Sequence, residues 1–275
     1  MGTQKNTGGT AVVSKIALGQ LIQKVRERAG LTRPEVAALM GVDTETVRRW
    51  ETGKFAPKVH TIETLASKIN ATPEELSQMT TLSLNSRGRS LFEGNNVPPR
   101  LRAFYESEAI AVRIRSIGLE YLPGLLQTRA YHLATQAAQV PIDAQRAQDL
   151  RELRTRRQEI SFGRTPVPQM QFLISRAALL YLDDYPEIRD EQIQRLLEVS
   201  AMQRAGIRVA NGFNASMLNA YTIVDLPEAT GARPFVYVEA IDGGRYVEGH
   251  VVFEYEAAFQ TVWETQSVTI EEVLG

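Results

Sequence analysis

The sequence predicts two classes of structure in one chain of 275 residues: a mainly α N-terminal bundle of five helices, and an α+β C-terminal domain with a small, mostly antiparallel sheet. Two observations carry this prediction. Between residues 16 and 80, apolar residues recur at helical spacing in five short segments bounded by cap residues, glycines or prolines. After residue 204 the period changes, and short β-branched or aromatic runs alternate with turn residues, which is typical of strands.

The five N-terminal helices are marked by start and stop signals. The first has an apolar stripe and is followed by a glycine. Thr32 can cap the second helix, with Glu35 three residues later as the other half of a capping box. Gly41 ends that helix and Asp43 can cap the third. A fourth apolar stripe follows, and residues 72–75, Thr-Pro-Glu-Glu, are a strong start signal for the fifth helix.

Composition divides the chain into four parts. Residues 1–14 begin polar and glycine-rich and are expected to form a flexible tail. Residues 15–80 form the helical bundle. Residues 81–100 are polar, rich in turn-forming residues and end in two prolines, so they predict a linker. Residues 101–275 then form the second domain.

The second domain is predicted to begin with helices and to end mainly in strands. Helices are expected at residues 101–116, 130–139, 141–160, 187–204 and 255–265. Strands are expected at residues 169–174, 207–209, 220–224, 235–239 and 245–247. A hairpin turn at residues 242–244 is expected to join the last two strands.

Composition and charge exclude several classes of function. The chain has no cysteine, which excludes disulfides, thiolate metal sites and cysteine nucleophiles. No window approaches the roughly 18 apolar residues of a membrane span, and the first ten residues lack the apolar core of a secretory signal, so a cytoplasmic protein is expected. Residues 1–80 hold 11 Lys and Arg against 8 Asp and Glu, whereas the remainder holds 20 against 24. A mildly basic first domain on a mildly acidic body suits a DNA-binding regulator.

The second and third predicted helices carry the pattern of a helix-turn-helix. Ala37 is small where the two helices cross, Gly41 takes the left-handed turn between them, and Val47 packs the second helix under the first. With their flanking helices, residues 18–70 resemble the lambda repressor/Cro (XRE) family. The resemblance implies a recognition helix that lies in the major groove of double-stranded DNA. The plainer interpretation is a packed helical bundle, since some modules of this shape bind proteins instead.

The resemblance assigns roles to single residues. The base-reading positions correspond to Thr44, Glu45, Arg48 and Arg49, among which Glu45 can accept from a cytosine amino group and Arg49 can bind guanine with two hydrogen bonds. The phosphate-contacting positions correspond to Arg33, Lys54 and Lys58, although Lys58 is equally interpreted as a solvated charge. The structural positions are Ala37, Gly41, Val47 and a buried ion pair between Arg26 and Glu51.

A second resemblance lies in residues 118–131, which read Gly-Leu-Glu-Tyr-Leu-Pro-Gly-Leu-Leu-Gln-Thr-Arg-Ala-Tyr. This segment is similar to the C-terminal domain of actinobacterial WhiJ-type, antitoxin-like regulators, which place an XRE domain before it. Weaker matches follow at residues 151–158, 192–197, 235–239 and 246–248. Two departures are Ser175-Arg176, where the family has an acidic residue, and residues 211–216, which replace a Gly/His-containing turn. The resemblance implies a small partner protein, BldB-like or toxin-like.

The histidines give no pattern of catalysis. His132 follows a tyrosine on a predicted helix and is interpreted as a partly buried residue with satisfied hydrogen bonds. His250 has three carboxylates nearby in sequence, at residues 239, 242 and 248, but none has the tight spacing of a metal-ligand pair. No catalytic residue, metal or cofactor is therefore predicted.

Two charged clusters in the second domain also have plain interpretations. Asp183-Asp184 is expected to cap or turn the chain. The basic run is expected to form a solvated helix face with local ion pairs, and the alternative is an auxiliary DNA contact; it consists of Arg151, Arg154, Arg156 and Arg157.

Together these features predict a sequence-specific DNA-binding transcriptional regulator that acts as a homodimer. The second domain is expected to dimerise the protein and to respond to a small-molecule ligand in an apolar pocket or to a partner protein. The alternative is an antitoxin-like or partner-binding protein of a two-gene module, in which DNA binding is autoregulatory.

Overall fold

The computed structural model describes residues 7–87, 91–92, 97, 99–137, 144–212, 215–230, 232–240 and 244–274. The chain divides into two compact units. The N-terminal unit comprises residues 1–93, 102–110 and 226–233. The C-terminal unit comprises residues 94–101, 111–225 and 234–275.

The N-terminal unit contains the five predicted helices. Their bounds are α1 Thr7–Arg28, α2 Arg33–Met40, α3 Thr44–Glu51, α4 Val59–Lys68 and α5 Pro73–Asn85. Its core is a single cluster of buried residues: Leu18, Ile22, Val25, Val36, Ala37, Val47, Trp50, Ile62, Leu65, Ala66, Ile69, Met79 and Leu82. Because every helix contributes to this cluster, the apolar stripes of the sequence correctly predict which faces are buried.

Start and stop signals in the sequence are found at the helix ends. Thr32 and Thr72 each form a capping box with a glutamate three residues later. Gly41 ends α2 in the left-handed conformation with φ of 63°, where a side chain would be strained. The Asp43 side chain accepts a hydrogen bond from the Thr46 amide at 2.7 Å and so caps α3.

The ends of the predicted bundle differ from the sequence prediction. α1 begins at Thr7, so the flexible tail expected over residues 1–14 is wrong for residues 7–14, where Ala11 and Val13 are buried. Burial of these side chains offsets the weak helix propensity of the preceding glycines and threonines. α5 extends into the expected linker, and Ser83 there donates to the Pro57 carbonyl at 2.7 Å.

Two segments that follow the expected linker in the sequence also belong to the N-terminal unit. The first is residues 102–110 of helix α6, which spans Pro99–Ile110, and the rings of Phe92 and Tyr105 pack with centroids 5.9 Å apart. A short 3-10 helix, Glu228–Thr230, contacts α1. This division therefore differs from the predicted break at residue 101.

The C-terminal unit is built on one seven-stranded sheet. The strands are β1 Arg113–Gly118, β2 Gln169–Ile174, β3 Ala205–Ala210, β4 Tyr221–Asp225, β5 Phe235–Val238, β6 Arg245–Val247 and β7 Ser267–Thr269. Their order is β6-β5-β4-β1-β2-β3-β7. β1–β2 and β2–β3 pair in parallel, and the other four pairings are antiparallel, which confirms the α+β class with a mostly antiparallel sheet.

Helices connect and flank these strands. Their bounds are α7 Arg129–Ala137, α8 Ala144–Gly163, α9 Arg176–Leu180, α10 Pro186–Ser200, α11 Val251–Thr265 and α12 Ile270–Leu274. Further 3-10 helices span Tyr181–Asp184 and Ala215–Met217. Phe259 and Val262 of α11 pack with Ile223 and Val236 of the sheet in one buried cluster.

The central strand β1 is the main error of the sequence prediction, which placed residues 101–116 in one helix. That helix stops at Ile110, and β1 lies between β2 and β4. Its arginines resemble helix-surface residues, but Arg115 is buried and pairs with Asp225 at 3.0 Å and Glu256 at 2.5 Å. Arg115 interrupts the apolar pattern that predicts a strand, because its charge is neutralised only inside the folded protein.

Candidate functional site

Helix α3 has one buried face and one exposed face. Val47, Trp50 and Glu51 are buried, whereas Arg48 and Arg49 are exposed on the other side, with Thr44 exposed at the first turn. Because residues three and four apart share a face of a helix, the four predicted base-reading residues do not compete with the core for space. The arrangement suits insertion of this helix into a groove.

A buried carboxylate fastens α3 to the helices around it. Arg26 Nε donates to Glu51 Oε1 at 2.5 Å, and Arg33 Nε donates to Glu51 Oε2 at 2.6 Å. Arg26 also donates to the Leu31 carbonyl at 2.7 Å. The hydrogen bond to Glu51 raises the pKa of Arg26. Glu51 thus joins α1, α2 and α3, and the ion pair expected between Arg26 and Glu51 is present.

Arg33, which the sequence assigns to phosphate contact, also takes part in the ion pair beneath α3. Its side chain is 39% exposed, yet its Nε bond holds it against Glu51. Phosphate contact would have to come from its remaining guanidinium nitrogens. Lys54 and Lys58 are both exposed after α3, and Lys58 occupies the N-cap position of α4. The phosphate contacts of all three residues stay predictions.

Glu45 holds both candidate base-reading arginines. Its carboxylate accepts from Arg48 Nε at 2.5 Å and Arg48 Nη2 at 2.7 Å, and from Arg49 Nε at 3.1 Å. The hydrogen bonds from Arg48 lower the pKa of Glu45 to about 2. Exposed ion pairs of this kind contribute little to stability and exchange readily for other partners. Glu45 therefore aligns two arginines on the exposed surface through weak ion pairs, which the arginines can exchange for other partners.

Two further residues matter for this surface and were missed in the sequence. A side chain at Gly19 would meet the carbonyl oxygens of Trp50 and Glu51 at 2.5 Å, so glycine lets α1 cross the end of α3 closely. The signal was a glycine inside a predicted helix, where it is otherwise unfavourable. Phe55 is 56% exposed beside Lys54, and its position between two lysines was the available signal.

In the C-terminal unit, the segment 118–131 runs from the last residue of β1 through a loop into the first turn of α7, and hydrogen bonds within the segment fix its conformation. Gln127 Nε2 donates to the Leu122 carbonyl at 2.5 Å, and the Leu122 amide donates to the Tyr131 hydroxyl at 3.2 Å. A side chain at Gly118 would meet the Tyr121 carbonyl oxygen at 2.6 Å. We refer to residues 118–131 as the motif loop.

Polar side chains from two helices hold the motif loop from outside. The amide of Gln192 on α10 is fully buried, accepts from the Thr128 amide at 2.8 Å and donates to the Leu126 carbonyl at 3.0 Å. Gln158 on α8 donates to the Gln127 carbonyl at 2.8 Å. These contacts bring together three of the segments that carry the sequence resemblance, at residues 118–131, 151–158 and 192–197.

The basic run on α8 is not simply a solvated face. Arg154 Nη1 donates to Gln127 Oε1 at 2.5 Å, and Arg157 is buried. A side chain at Gly124 would lie about 3 Å from both guanidinium groups. The expected solvated face is therefore wrong for Arg154 and Arg157, because the motif loop packs on them.

His132 lies next to this basic run. Burial, and then the nearby charges of Arg154, Arg151 and Arg157, lower the pKa of His132 to about 4. Its Nε2 has no hydrogen-bond partner among the described residues, so the expectation of a satisfied histidine is wrong. A neutral imidazole is the form that this environment favours near pH 7.

The two departures from the second resemblance lie side by side. Ser175 caps α9 and also donates to the Leu119 carbonyl of the motif loop. The neighbouring Arg176 donates to Asn211 Oδ1 at 3.4 Å. Residues 213–214 of the turn at residues 211–216 lie outside the described residues. The two segments thus contact each other through Arg176 and Asn211.

Neither a metal site nor a membrane span is found in the described part of the chain. No group of three metal-ligating side chains occurs there, and Asp242, one of the carboxylates near His250 in sequence, lies outside it. None of the described helices is long and apolar enough to cross a bilayer.

Comparison with known proteins finds two families, one matching the N-terminal and one the C-terminal part of the chain. A helix-turn-helix domain family matches residues 17–79, so the chain is a DNA-binding regulator. A second family, described as a domain of unknown function (DUF5753), matches residues 101–269. No curated protein and no solved structure matches the chain. Because the second match spans more than half of the 275 residues, the chain belongs to the DUF5753 family.

Proposed function

We propose that this protein is a sequence-specific transcriptional regulator that reads the major groove with α3. The observation that carries the proposal is the division of α3 into a core face and an exposed face. Val47 and Trp50 fix the helix on the bundle, while Arg48 and Arg49 lie exposed. Helix-turn-helix proteins place such a helix in the major groove, with its N-terminal residues on base edges.

Base reading is assigned to Thr44, Glu45, Arg48 and Arg49. Arginine binds guanine O6 and N7 with two hydrogen bonds, and glutamate accepts from the cytosine amino group. Since Glu45 holds both arginines through hydrogen bonds of 2.5 to 3.1 Å in the free protein, binding exchanges these contacts for base contacts. Lys54, Lys58 and Arg33 position the protein on phosphates without reading sequence.

The C-terminal unit is proposed to dimerise the protein and to carry its regulatory response. One helix-turn-helix covers one half-site, and proteins of this class bind two half-sites about one helical turn apart. A DNA-binding regulator of this kind acts in the cytoplasm and needs no catalysis, so we assign the unit no enzymatic role.

A second candidate retains the DNA-binding domain and gives the C-terminal unit a different partner. In this candidate the chain is a WhiJ-type, antitoxin-like regulator from an actinobacterium. Its unit binds a small BldB-like or toxin-like protein, and DNA binding is autoregulatory. The observation that favours it is the contact of Gln158 and Gln192 with the motif loop, which joins three resembling segments in one structure.

Selection of duplexes from random DNA by the full-length protein tests the proposed function. We expect enriched sequences with two inverted half-sites whose centres are about 10 base pairs apart, or a multiple of that spacing. A single half-site without a partner would remove the homodimer from the proposal. Recovery of no preferred sequence would remove sequence-specific reading altogether.

A further inference from the structure

An open cavity of about 320 Å³ lies in the C-terminal unit beside the motif loop. Its walls include four tyrosines and two carboxylates: Tyr121, Tyr131, Tyr181, Tyr185, Glu120 and Asp184. Among the described residues that line it, none is lysine or arginine. A volume of this size is at the lower end for small-molecule sites. The cavity is therefore large enough for a small ligand and is lined by four aromatic residues and two carboxylates.

Three of the tyrosines are exposed. Tyr121 is 54% exposed, Tyr181 is 47% and Tyr185 is 40%. Three such rings around one cavity form a concentrated patch of exposed aromatic surface, which marks interaction sites on proteins.

The remaining walls make the cavity rigid. Tyr131 is buried, and its hydroxyl accepts from the Leu122 amide at 3.2 Å, which fixes the ring. Leu182 and Ile188 are buried beneath the cavity and supply an apolar floor. A pre-formed ring and floor lower the conformational cost of binding.

We propose that this cavity binds a small organic cation, such as a quaternary ammonium or a protonated tertiary amine. Aromatic faces attract cations through the ring quadrupole, and quaternary ammonium groups are the ligands that aromatic cages recognise. The exposed carboxylates of Glu120 and Asp184, which also line the cavity, add electrostatic attraction for a cation. A metal ion is a poor fit, because no group of three metal-ligating side chains occurs among the described residues and only two carboxylates line the cavity.

The cavity also lies where a ligand can act on the motif loop. Tyr121 and Tyr131 belong to that loop, whereas Tyr181 and Tyr185 belong to the turn that enters α10. α10 carries Gln192, which binds the loop at Leu126 and Thr128. A ligand held by both walls adds a second connection between the loop and α10. An effect of the ligand on transcription rests on the proposed function, whereas binding of the ligand to the cavity does not.

The test uses choline and its neutral carbon isostere 3,3-dimethyl-1-butanol, titrated against the full-length protein without DNA. The two probes have nearly the same shape, so they differ mainly in charge. We expect millimolar or tighter affinity for choline and at least about tenfold weaker affinity for the alcohol. Proton NMR should show an upfield shift of the choline methyl signals, because methyl groups inside a tyrosine cage feel the ring currents.

Variants separate the aromatic and the electrostatic contributions. Tyr181→Leu should weaken choline binding and reduce the upfield shift because one of the four rings is lost, whereas Tyr181→Phe should retain both. Asp184→Asn should weaken choline several-fold. Glu191→Gln, on the exposed surface of α10 and outside the lining, should leave binding unchanged. Circular dichroism should show that each variant is folded.

Equal affinity for choline and the alcohol would overturn the proposal in favour of a general apolar pocket. Unchanged choline binding in Tyr181→Leu would place the cation elsewhere, and no shift at high millimolar choline would remove the site. Because no DNA is present, none of these results bears on whether α3 reads base sequence.

Discussion

α3 and the motif loop are both held by polar side chains from neighbouring elements, but they present different surfaces. α3 is fastened from below through Glu51, and its opposite face carries exposed Arg48 and Arg49. In the motif loop, the residues that give the segment its character point inward: Leu122, Leu125, Leu126, Gln127 and Thr128 are all buried.

The difference shows that a sequence signature marks different things in the two units. In the helix-turn-helix, the pattern includes the residues that are proposed to contact DNA. In the motif loop, most residues of the pattern are buried and hold the fold together, and the exposed Tyr121 within the loop lines the cavity. We therefore expect substitutions in the first signature to separate cleanly into folding and binding effects. Substitutions in the second signature should act first on folding.

The largest effect is expected at the carboxylate beneath α3. Glu51→Gln removes the charge that pairs with the buried Arg26 and should destabilise the N-terminal unit by about 3 kcal/mol. Glu27→Gln is the matched control, because Glu27 also pairs with Arg26, at 3.3 Å, but is 56% exposed. It should cost less than about 1 kcal/mol. Hydrogen exchange of the full chain measures the loss of unfolding free energy in each variant. Equal losses would contradict the claim that burial makes the pair with Glu51 the more stabilising one.

The corresponding test in the C-terminal unit is Gln192→Leu. The change leaves the Thr128 amide and the Leu126 carbonyl without their partner and should cost about 2 kcal/mol. Exchange should accelerate in the motif loop and α7. Gln194→Leu on the exposed side of α10 should have almost no effect. Faster exchange in α1–α5 would contradict the assignment of this contact to the C-terminal unit.

A smaller, pH-dependent effect is expected at His132. Its folded pKa of about 4 lies below the ordinary value of 6.5, so the unfolded chain binds a proton that the folded chain does not between these values. Stability should therefore fall as pH decreases from about 6.5 to 4, by about 1 kcal/mol at pH 5 after allowance for solvent screening. Urea denaturation of His132→Leu should lack this loss, while the exposed His250→Leu should retain it. An identical pH profile for wild type and His132→Leu would show that the imidazole is not desolvated.

The smallest effect is expected from Glu45→Gln. Removing the carboxylate frees Arg48 and Arg49 from their shared partner and removes a negative charge from the phosphate field. Affinity for random duplexes should rise several-fold, and the salt dependence should become steeper. The isosteric amide keeps the helix intact, which circular dichroism can verify. Weaker binding to random duplexes would mean that Glu45 positions the arginines for phosphate contact.

Local sequence signals predicted the N-terminal unit better than the C-terminal unit. The capping boxes, Gly41 and the stripe through Val47 are local features that operate within a few residues, so they are visible in the sequence. β1 was missed because Arg115 is neutralised by Asp225 and Glu256, which lie more than 100 residues away. That compensation exists only after the chain has folded.

The cavity was missed for the same reason. Tyr121 and Tyr181 are separated by about 60 residues in sequence, and neither stands out as a ligand-binding residue there. Asp184 was expected only to cap or turn the chain. It does lie in a 3-10 turn, which places its carboxylate at the cavity. The proposed base-reading residues could be named from the sequence because a family pattern gives their positions, whereas the cavity is formed only where two distant segments meet.

The most direct test of the central claim compares Arg49→Ala with Lys54→Ala on the selected operator and on random duplexes. Fluorescence anisotropy over a salt series provides the measurement. Arg49→Ala should cost about 1–3 kcal/mol on the operator and relax preference at one base pair. Lys54→Ala should weaken binding to all sequences about equally and reduce the salt slope by roughly one unit. If both variants lose the same affinity on both duplexes, α3 does not read bases in the way proposed here.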